Sequence, residues 1–336
     1  MKLTVLGAGA WGSTLTRLLT DNFEEVTLWA REQDLTEEFK STKKLSKPVE
    51  VQLADKVQLT SNLNEAIKDA SIILMVIATS GVRDVCKKLK EAGLTDKQIL
   101  VNTSKGLELP GLYRMSEVIS QELPDNPVVV LSGPTLAVEV LKGLPTAASV
   151  ASKDSETAEL VQQKLTVPGK FRLYSNSDVA GVEFGGSLKN VIAIASGFVS
   201  AMNLGDNARG AILTRGLAEI VRLSVELGAN PSTLYGLSGI GDLIATCSSP
   251  LSRNYQVGYK LGQGKKLDDI LKELGSVAEG VKTTKAVCEL SKKLNIETPV
   301  SDVIYEAVYT DISPEDVIKK LMTRQLKKED TYNFAV

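Results

Sequence analysis

The sequence predicts two domains: an α/β N-terminal domain built on a doubly wound sheet, and an all-α C-terminal domain. Up to about residue 180, short apolar runs of strand length alternate with helical patterns. A glycine-rich turn joins the first run to the first helix. Beyond residue 180 the strand patterns stop and long apolar helices follow. Since 336 residues are many for a single core, we place the domains at residues 1–180 and 181–336.

The first strand and helix flank a glycine motif. An apolar run at residues 3–6 passes into GAGAWG at residues 7–12, and a helical pattern follows. In a Rossmann-type domain the first glycine makes the tight turn, the second lets the backbone reach a pyrophosphate, and the third lets the helix pack closely. We therefore predict that this turn binds a dinucleotide cofactor. A glycine turn of purely structural use is the alternative.

The second predicted strand, at residues 25–30, carries information on the cofactor. It ends at Arg31, and the acids Glu32 and Asp34 come only afterwards. An acid near this strand end binds the ribose 2′-hydroxyl of NAD, whereas an arginine suits the 2′-phosphate of NADP. The pattern therefore favours NADPH over NADH. A solvated arginine at a strand end is the alternative.

The alternation continues through the first half. It predicts a capped helix start at residues 61–65, helices over 81–90, 113–121 and 155–165, and strands over 72–77, 99–102, 128–131, 147–151 and 171–175. Loops after the carboxyl ends of such strands bind ligands. Lys105 is the one charge among these loops, so we expect it to contact a ligand. An ordinary loop lysine is the alternative.

The helix predicted from residue 182 is apolar on nearly every side but carries Lys189 in its middle. Helical spacing places Lys189 beside small residues, namely Gly185, Gly186, Ala193 and Ser196. A buried ammonium is costly unless it is partnered, and small neighbours leave room for a group to approach it. Our hypothesis is that Lys189 faces a substrate pocket.

The composition excludes several classes of protein. A net charge of −2 without a basic block argues against nucleic acid as a partner, and no apolar run reaches the roughly 18 to 20 residues of a membrane span. Three widely spaced cysteines indicate free thiols in a reducing cytoplasm.

Histidine is absent, so proton transfer must use Lys, Asp, Glu, Tyr or Cys, and no metal site is expected. Burial lowers the pKa of a lysine towards neutrality, which makes Lys189 the leading candidate.

The remaining chain offers two polar features. After a turn at residues 204–207 and a helix over 211–227, a glycine-rich stretch holds Asp242 as its only charge. Asp242 either caps the helix at residues 243–247 or lies beside Lys189. Ser252 is a good N-cap for a helix over residues 255–261, and with Arg253 it forms an anion site that favours a phosphate. A structural cap with a surface arginine is the alternative. Further helices begin near residues 277–280 and at Pro314.

Eight motifs occur in one order along the chain. They are GAGAWG (7–12), SKGLE (104–108), SGPT-x-A-x-E (132–139), LKN (188–190), GDN-x-x-G (205–210), TRGLAE (214–219), G-x-GD (239–242) and SRN (252–254). Together they resemble the bacterial NAD(P)-dependent glycerol-3-phosphate dehydrogenases, from residue 2 to about residue 326. One departure is Ala78-Thr79-Ser80, where that family usually has valine, proline and serine.

The resemblance implies an enzyme that interconverts sn-glycerol 3-phosphate and dihydroxyacetone phosphate and supplies phospholipid synthesis. It implies that Lys189 is the catalytic proton acceptor. The substrate residues it implies are Lys105, Gly133, Thr135, Lys189, Asp242, Ser252, Arg253 and Asn254. With the glycine turn included, the expected cofactor residues are Gly7, Gly9, Ala10, Trp11, Gly12, Arg31, Lys105, Ala137, Arg253, Val277 and Glu279. The expected cofactor is NADPH or NADH, with NADPH favoured.

Two alternative functions remain at this point. One is a lysine-using reductase of similar build, such as a β-hydroxyacid dehydrogenase or a ketopantoate reductase. Such an enzyme would need a site for a substrate carboxylate, and the SRN motif argues against this alternative. A non-catalytic NADP-binding sensor would have no need of a buried Lys189 near Asp242. The expected partner is a small phosphorylated three-carbon substrate, with no nucleic acid and no membrane insertion. The expected compartment is the cytoplasm, and a homodimer is left open.

Overall fold

The computed structural model describes residues 1–31, 37–45, 49–275 and 278–326. The chain divides into two compact units, Met1–Glu183 and Phe184–Val336. Unit 1 is an α/β domain and the described part of unit 2 is helical, so the predicted fold class is confirmed. Within the described ranges, none of the helices combines the length and the apolar content that a membrane crossing requires.

The strands of unit 1 form one large sheet and two small hairpins. In chain order they are β1 (Lys2–Leu6), β2 (Glu25–Trp29), β3 (Lys44–Leu45), β4 (Val51–Gln52), β5 (Val57–Thr60), β6 (Ala70–Met75), β7 (Ile99–Asn102), β8 (Leu107–Glu108), β9 (Tyr113–Arg114), β10 (Val128–Ser132), β11 (Thr146–Ala151) and β12 (Phe171–Asn176). The helices that begin and end within this unit are α1 (Ala10–Leu19), α2 (Glu37–Thr42), α3 (Leu63–Ile67), α4 (Val82–Glu91), α5 (Met115–Glu122), α6 (Ala137–Leu141) and α7 (Ser155–Leu165).

The described residues form an eight-stranded sheet in the order β12-β11-β10-β7-β6-β1-β2-β5. Neighbouring strands are parallel except for β10 and β11, which are antiparallel. Since β1, β6, β7 and β10 all run in one direction, the loops that follow them lie at the same edge of the sheet. This edge is where ligands bind in open α/β sheets.

Helices cover both faces of this sheet. Ile72 and Leu74 of β6 pack in a cluster with α1 and α7, whereas Ile73 and Met75 pack in a second cluster with α4 and α5. Alternate residues of a strand point to opposite faces, so a strand buried on both sides reads as a continuous apolar run. This is why the sequence pattern of β6 predicted a strand of a doubly covered sheet.

The helices after residue 178 are mostly longer. In chain order they are α8 (Val179–Ala201), α9 (Gly205–Glu226), α10 (Pro231–Leu234), α11 (Asp242–Ser248), α12 (Arg253–Gly262), α13 (Leu267–Leu274), α14 (Glu279–Leu294), α15 (Pro299–Tyr309) and α16 (Pro314–Met322). In unit 2, α8 and α12 cross at glycines. A Cβ atom on Gly258 would lie 1.8 Å from the carbonyl oxygen of Ile194, so only glycine permits this approach.

Two local predictions were wrong, and one strand of the large sheet was missed. Residues 113–114 belong to β9, paired with β8, and helix α5 begins only at Met115. Residues 205–207 form the first turn of α9, because Gly205 at a φ of +80° reverses the chain and Asp206 stands at the helix N-terminus. Strand β5 was not predicted, since it is a four-residue edge strand held only by its pairing with β2.

Candidate active site

The turn after β1 has no space for side chains at two of its glycines. Gly7 has a φ of +116°, and a Cβ atom there would lie 2.3 Å from the carbonyl oxygen of Val76. A Cβ atom on Gly12 would lie 1.9 Å from the carbonyl oxygen of Gly7. Gly7 therefore makes the tight turn and Gly12 brings α1 against it. These are the functions that the pattern assigns to its first and third glycine.

Gly9 differs from these two glycines. Apart from its two chain neighbours, no described residue has an atom within 4 Å of the position that its Cβ would take. Gly9 is the N-cap of α1 and, having no side chain, leaves the first N–H groups of the helix without a side-chain cap. Open space beside these N–H groups, at the positive end of a helix, fits the pyrophosphate of a dinucleotide.

Four further predicted cofactor residues of unit 1 lie at helix starts and near a strand end. Ala10 and Trp11 begin α1, and Ala137 begins α6. The Trp11 ring is partly buried and meets Phe171 edge to face, with ring centroids 6.4 Å apart. Arg31 is exposed two residues after the end of β2.

Lys105 lies in the loop after β7, and its ammonium reaches the loop after β10. Its Nζ donates to the carbonyl oxygen of Gly133 at 2.8 Å and to Oγ1 of Thr135 at 3.4 Å. Gly133 has a φ of +146°, which favours glycine. The structure thus brings three predicted substrate residues together at the carboxyl edge of the sheet.

Lys189 lies in α8 and forms a buried ion pair in unit 2. Its Nζ is 2.5 Å from Oδ1 of Asp242 and 2.5 Å from Oγ1 of Thr246. The side chains of Lys189 and Asp242 are only 6% and 2% exposed. The carboxylate therefore compensates a charge that burial would otherwise penalise. Asp242 does not cap α11, whose N-cap is Gly241.

The small residues beside Lys189 on α8 pack against the segment that leads to Asp242 and beyond. A Cβ atom on Gly185 would lie 2.6 Å from the carbonyl oxygen of Ser238, and Oγ of Ser196 donates to the carbonyl oxygen of Cys247 at 2.8 Å. At these two positions protein backbone, rather than a ligand, occupies the space that we expected to be open. Burial raises the pKa of the Cys247 thiol to about 12, which makes it a poor proton acceptor at neutral pH.

The start of α12 holds the SRN motif. Oγ of Ser252 accepts a hydrogen bond from the backbone N–H of Tyr255 at 3.3 Å, so Ser252 is the N-cap. Arg253 follows as the exposed first residue of the helix, and Asn254 is buried. A cap with an exposed cation beside it offers N–H groups and a guanidinium to an anion.

The start of α14 lies beside Asn254. Oδ1 of Asn254 accepts a hydrogen bond from the backbone N–H of Gly280 at 2.9 Å, one residue after Glu279 begins the helix. Val277, a predicted cofactor residue, lies outside the described residues. The structure therefore brings SRN and Glu279 together within unit 2.

Sequence reasoning missed Thr246. Thr246 stands four residues after Asp242 on the same helix, and its Oγ1 lies 3.1 Å from the carboxylate oxygen that pairs with Lys189. Residues four apart on a helix are neighbours. This spacing is the signal that could have identified the hydroxyl once Asp242 was assigned to the site.

Family models match both halves of the chain. The model for the N-terminal domain of NAD-dependent glycerol-3-phosphate dehydrogenase matches residues 2–158, and the model for the C-terminal domain matches residues 178–319. The glycine turn and Lys105 lie within the first match. Lys189, Asp242 and the SRN motif lie within the second.

Curated relatives and solved structures agree with these models. A glycerol-3-phosphate dehydrogenase [NAD(P)+] of Thermoanaerobacter sp. (strain X514) is 44% identical over 98% of this chain and 99% of its own length. The enzyme of that name from Bacillus subtilis (strain 168) is 42% identical over 96% of this chain and 94% of its own.

The crystal structure of glycerol-3-phosphate dehydrogenase from Coxiella burnetii superposes with a TM-score of 0.89 at 33% identity, covering 96% of this chain and 99% of that one. The 2-dehydropantoate 2-reductase of Methylococcus capsulatus reaches a TM-score of 0.59 at 11% identity, with 97% and 99% covered, and shares the fold alone. The chain therefore belongs to the family of NAD-dependent glycerol-3-phosphate dehydrogenases and is an NAD(P)-dependent oxidoreductase.

Proposed function

We propose that this chain interconverts sn-glycerol 3-phosphate and dihydroxyacetone phosphate, with Lys189 as the group that exchanges the proton. The observation that carries this proposal is the buried Lys189–Asp242 ion pair in a chain without histidine. Oxidation of a secondary alcohol removes a hydride from carbon and a proton from oxygen. The reverse reaction needs a proton donor at the ketone oxygen.

The ion pair supports a resting state of Lys189 that is a proton donor. The Asp242 carboxylate stabilises the ammonium form, and this form donates a proton when the ketone is reduced. The neutral amine left after donation accepts a proton in the opposite direction. Asp242 and Thr246 accept two of the three ammonium N–H bonds and so orient the group.

Unit 1 supports binding of the nicotinamide dinucleotide. The open space at Gly9 and the uncapped start of α1 suit its pyrophosphate. When bound, such a cofactor supplies or accepts the hydride. We assign its binding to the turn at residues 7–12 with Lys105, Ala137, Arg253 and Glu279. The exposed Arg31 after β2 suits a 2′-phosphate, which supports a preference for NADPH.

The substrate phosphate is assigned to the SRN motif. Ser252 caps α12, Arg253 is exposed at its first position, and both helix N–H groups and a guanidinium favour a phosphate there. Lys105, Gly133 and Thr135 are assigned to the substrate as well. Their contacts with one another support this, since they gather one cation and two oxygen atoms at the sheet edge.

The cellular role follows from this reaction. We assign the product glycerol phosphate to phospholipid synthesis and the enzyme to the cytoplasm. The cysteines Cys86, Cys247 and Cys288 are free and buried, which is compatible with a reducing compartment. Cell fractionation tests the location, and sedimentation tests whether the chain forms a homodimer.

One assay tests the reaction and the cofactor together. The loss of NADPH or NADH absorbance is followed with dihydroxyacetone phosphate, with ketopantoate and other 2-oxo acids, and without substrate. We expect turnover with dihydroxyacetone phosphate alone and a lower KM for NADPH than for NADH. Turnover of a 2-oxo acid but not of dihydroxyacetone phosphate would contradict the reaction. A strong preference for NADH would contradict only the assignment of Arg31.

A further inference from the structure

Three helices of unit 2 meet at Gly280. A Cβ atom there would lie 2.7 Å from Oδ1 of Asn254 in α12 and 2.8 Å from the carbonyl oxygen of Asn190 in α8. Only a glycine at the start of α14 leaves space for both groups. We refer to Asn190, Asn254 and Gly280 as the junction.

Each junction residue directly follows a residue of the proposed site. Asn190 follows Lys189 on α8, Asn254 follows Arg253 on α12, and Gly280 follows Glu279 on α14. Consecutive residues of a helix share a rigid backbone. A shift of one helix at the junction therefore moves the neighbouring site residue with it.

Asn254 makes the hydrogen bond that holds two of these helices together. The N-cap of α14 is Ala278, which has no side-chain acceptor, so Ala278 cannot satisfy the N–H groups of the first turn that have no acceptor within the helix. Oδ1 of Asn254 accepts from the N–H of Gly280 instead, at 2.9 Å. Both residues are buried, so removal of this acceptor would leave a buried N–H group without a partner.

We propose that Asn254 is a positioning residue: its side-chain amide ties the N-terminus of α14 to that of α12, so that Arg253 and Glu279 bind the cofactor as one unit. This inference rests on the proposed function, which assigns both residues to the cofactor. It gives the Asn254 side-chain oxygen a role within the protein, apart from any contact that the residue makes with substrate.

The experiment measures the Kd for NADPH by fluorescence titration, well below the unfolding temperature. Asn254→Ala should raise the Kd about 10-fold, which corresponds to ~1.4 kcal/mol. Hydrogen exchange should show lost protection at the Gly280 amide. Asn254→Asp keeps an acceptor oxygen at the N-termini of two helices, where negative charge is favourable, and should restore most of the affinity.

Gly280→Ala approaches the same contact from the other helix. Its effect and that of Asn254→Ala should be less than additive in the double variant, because the added methyl group displaces the Asn254 side chain, which Asn254→Ala has already removed. Gly210→Ala in α9 is the control, since no described atom outside the adjoining backbone of α9 lies within 4 Å of its Cβ position. We expect the Kd of this control to equal that of the wild type.

Three outcomes would overturn the inference. They are an unchanged Kd in Asn254→Ala with Gly280 still protected, a lowered melting temperature with an unchanged Kd, and additive effects in the double variant. Wild-type protein is measured first with NADPH and dihydroxyacetone phosphate. If the wild type neither binds NADPH nor reduces dihydroxyacetone phosphate, both the proposed function and this inference are wrong. If it is active, the outcomes above reject only the positioning role.

Discussion

The Nζ atom of Lys189 lies 2.5 Å from Oδ1 of Asp242, although the two residues are 53 positions apart in the sequence. Both side chains are almost wholly buried. Because the interior disfavours an isolated charge, each residue compensates the charge of the other. The same ion pair therefore contributes to the stability of unit 2 and contains the proposed proton-transfer group.

Lys189→Ala removes the proposed proton-transfer group. We expect kcat to fall by about 10² to 10⁴-fold, the range for loss of one general acid–base group. The Kd for NADPH should stay close to the wild-type value, because the glycine turn is intact. Steady-state kinetics and fluorescence titration check both parts. Turnover near the wild-type rate would remove Lys189 from the mechanism.

Asp242→Asn leaves the ammonium of Lys189 buried without a countercharge. We expect the free energy of unfolding to fall by about 3–5 kcal/mol in urea denaturation. Asp206→Asn is the control, because Asp206 pairs with Arg209 on the exposed surface of α9 and such pairs contribute at most about 1 kcal/mol. The double variant Lys189→Met/Asp242→Leu should lose less stability than Asp242→Asn. Equal decreases in the free energy of unfolding of Asp242→Asn and the control would show that the buried pair stabilises the fold no more than an exposed pair does.

Gly9→Ala and Gly12→Ala separate cofactor binding from folding. A methyl group on Gly9 meets no described atom, so the free energy of unfolding should change by less than about 0.5 kcal/mol while the Kd for NADPH rises. A methyl group on Gly12 would overlap the carbonyl oxygen of Gly7, and this overpacking should cost about 1–3 kcal/mol. Thermal unfolding and cofactor titration of both variants provide the comparison. Wild-type affinity in Gly9→Ala would place the pyrophosphate elsewhere.

Arg253→Ala should mainly raise the KM for the phosphorylated substrate. A charge-assisted hydrogen bond of about 1.5–3 kcal/mol corresponds to an increase of roughly 10- to 100-fold. Arg172→Ala, which removes an exposed arginine from β12 in unit 1, is the control and should leave KM unchanged. An unaltered KM in Arg253→Ala would assign the phosphate to another group.

Glu219 should make stability depend on pH. Its carboxylate on α9 accepts hydrogen bonds from the N–H groups of Val300 and Ser301 at the start of α15, at 2.6 and 3.0 Å. Burial nevertheless raises the pKa of Glu219 from 4.5 to about 7, while hydrogen bonds and the charge of Arg222 oppose the shift. The folded state thus binds a proton more tightly than the unfolded state. The resulting stabilisation is complete below about pH 4.5 and is lost as the pH rises through about 7.

Glu219→Gln removes this titration. Between those two pH values the free energy of unfolding of the wild type should fall relative to the variant, by at most about 1.4 kcal/mol per pH unit. Glu226→Gln, at an exposed position of the same helix, should keep the wild-type slope. A parallel pH dependence in wild type and Glu219→Gln would show that Glu219 titrates alike in both states.

Local sequence patterns were enough to predict most of the helices and strands. Helix α7 and strand β7 begin and end at the predicted residues, because a helical period in α7 and an apolar run in β7 each adjoin a cap or a turn. Strand β5 and the pairing of β8 with β9 were not predicted. These strands are short, and partners along the sheet or across a hairpin stabilise them more than their own composition does.

The sequence by itself determined the order of strand, glycine turn and helix, the absence of histidine and the placement of Lys189 within an apolar helix. Each of these is a property of residues close together in the chain. Only the tertiary structure decided that Asp242 and Thr246 surround the ammonium, and that Asn254 caps a helix 26 residues later. Such contacts form where two helices cross closely. Packing between segments that are distant in the chain determines these crossings, so the periodicity of neither helix sequence reveals them.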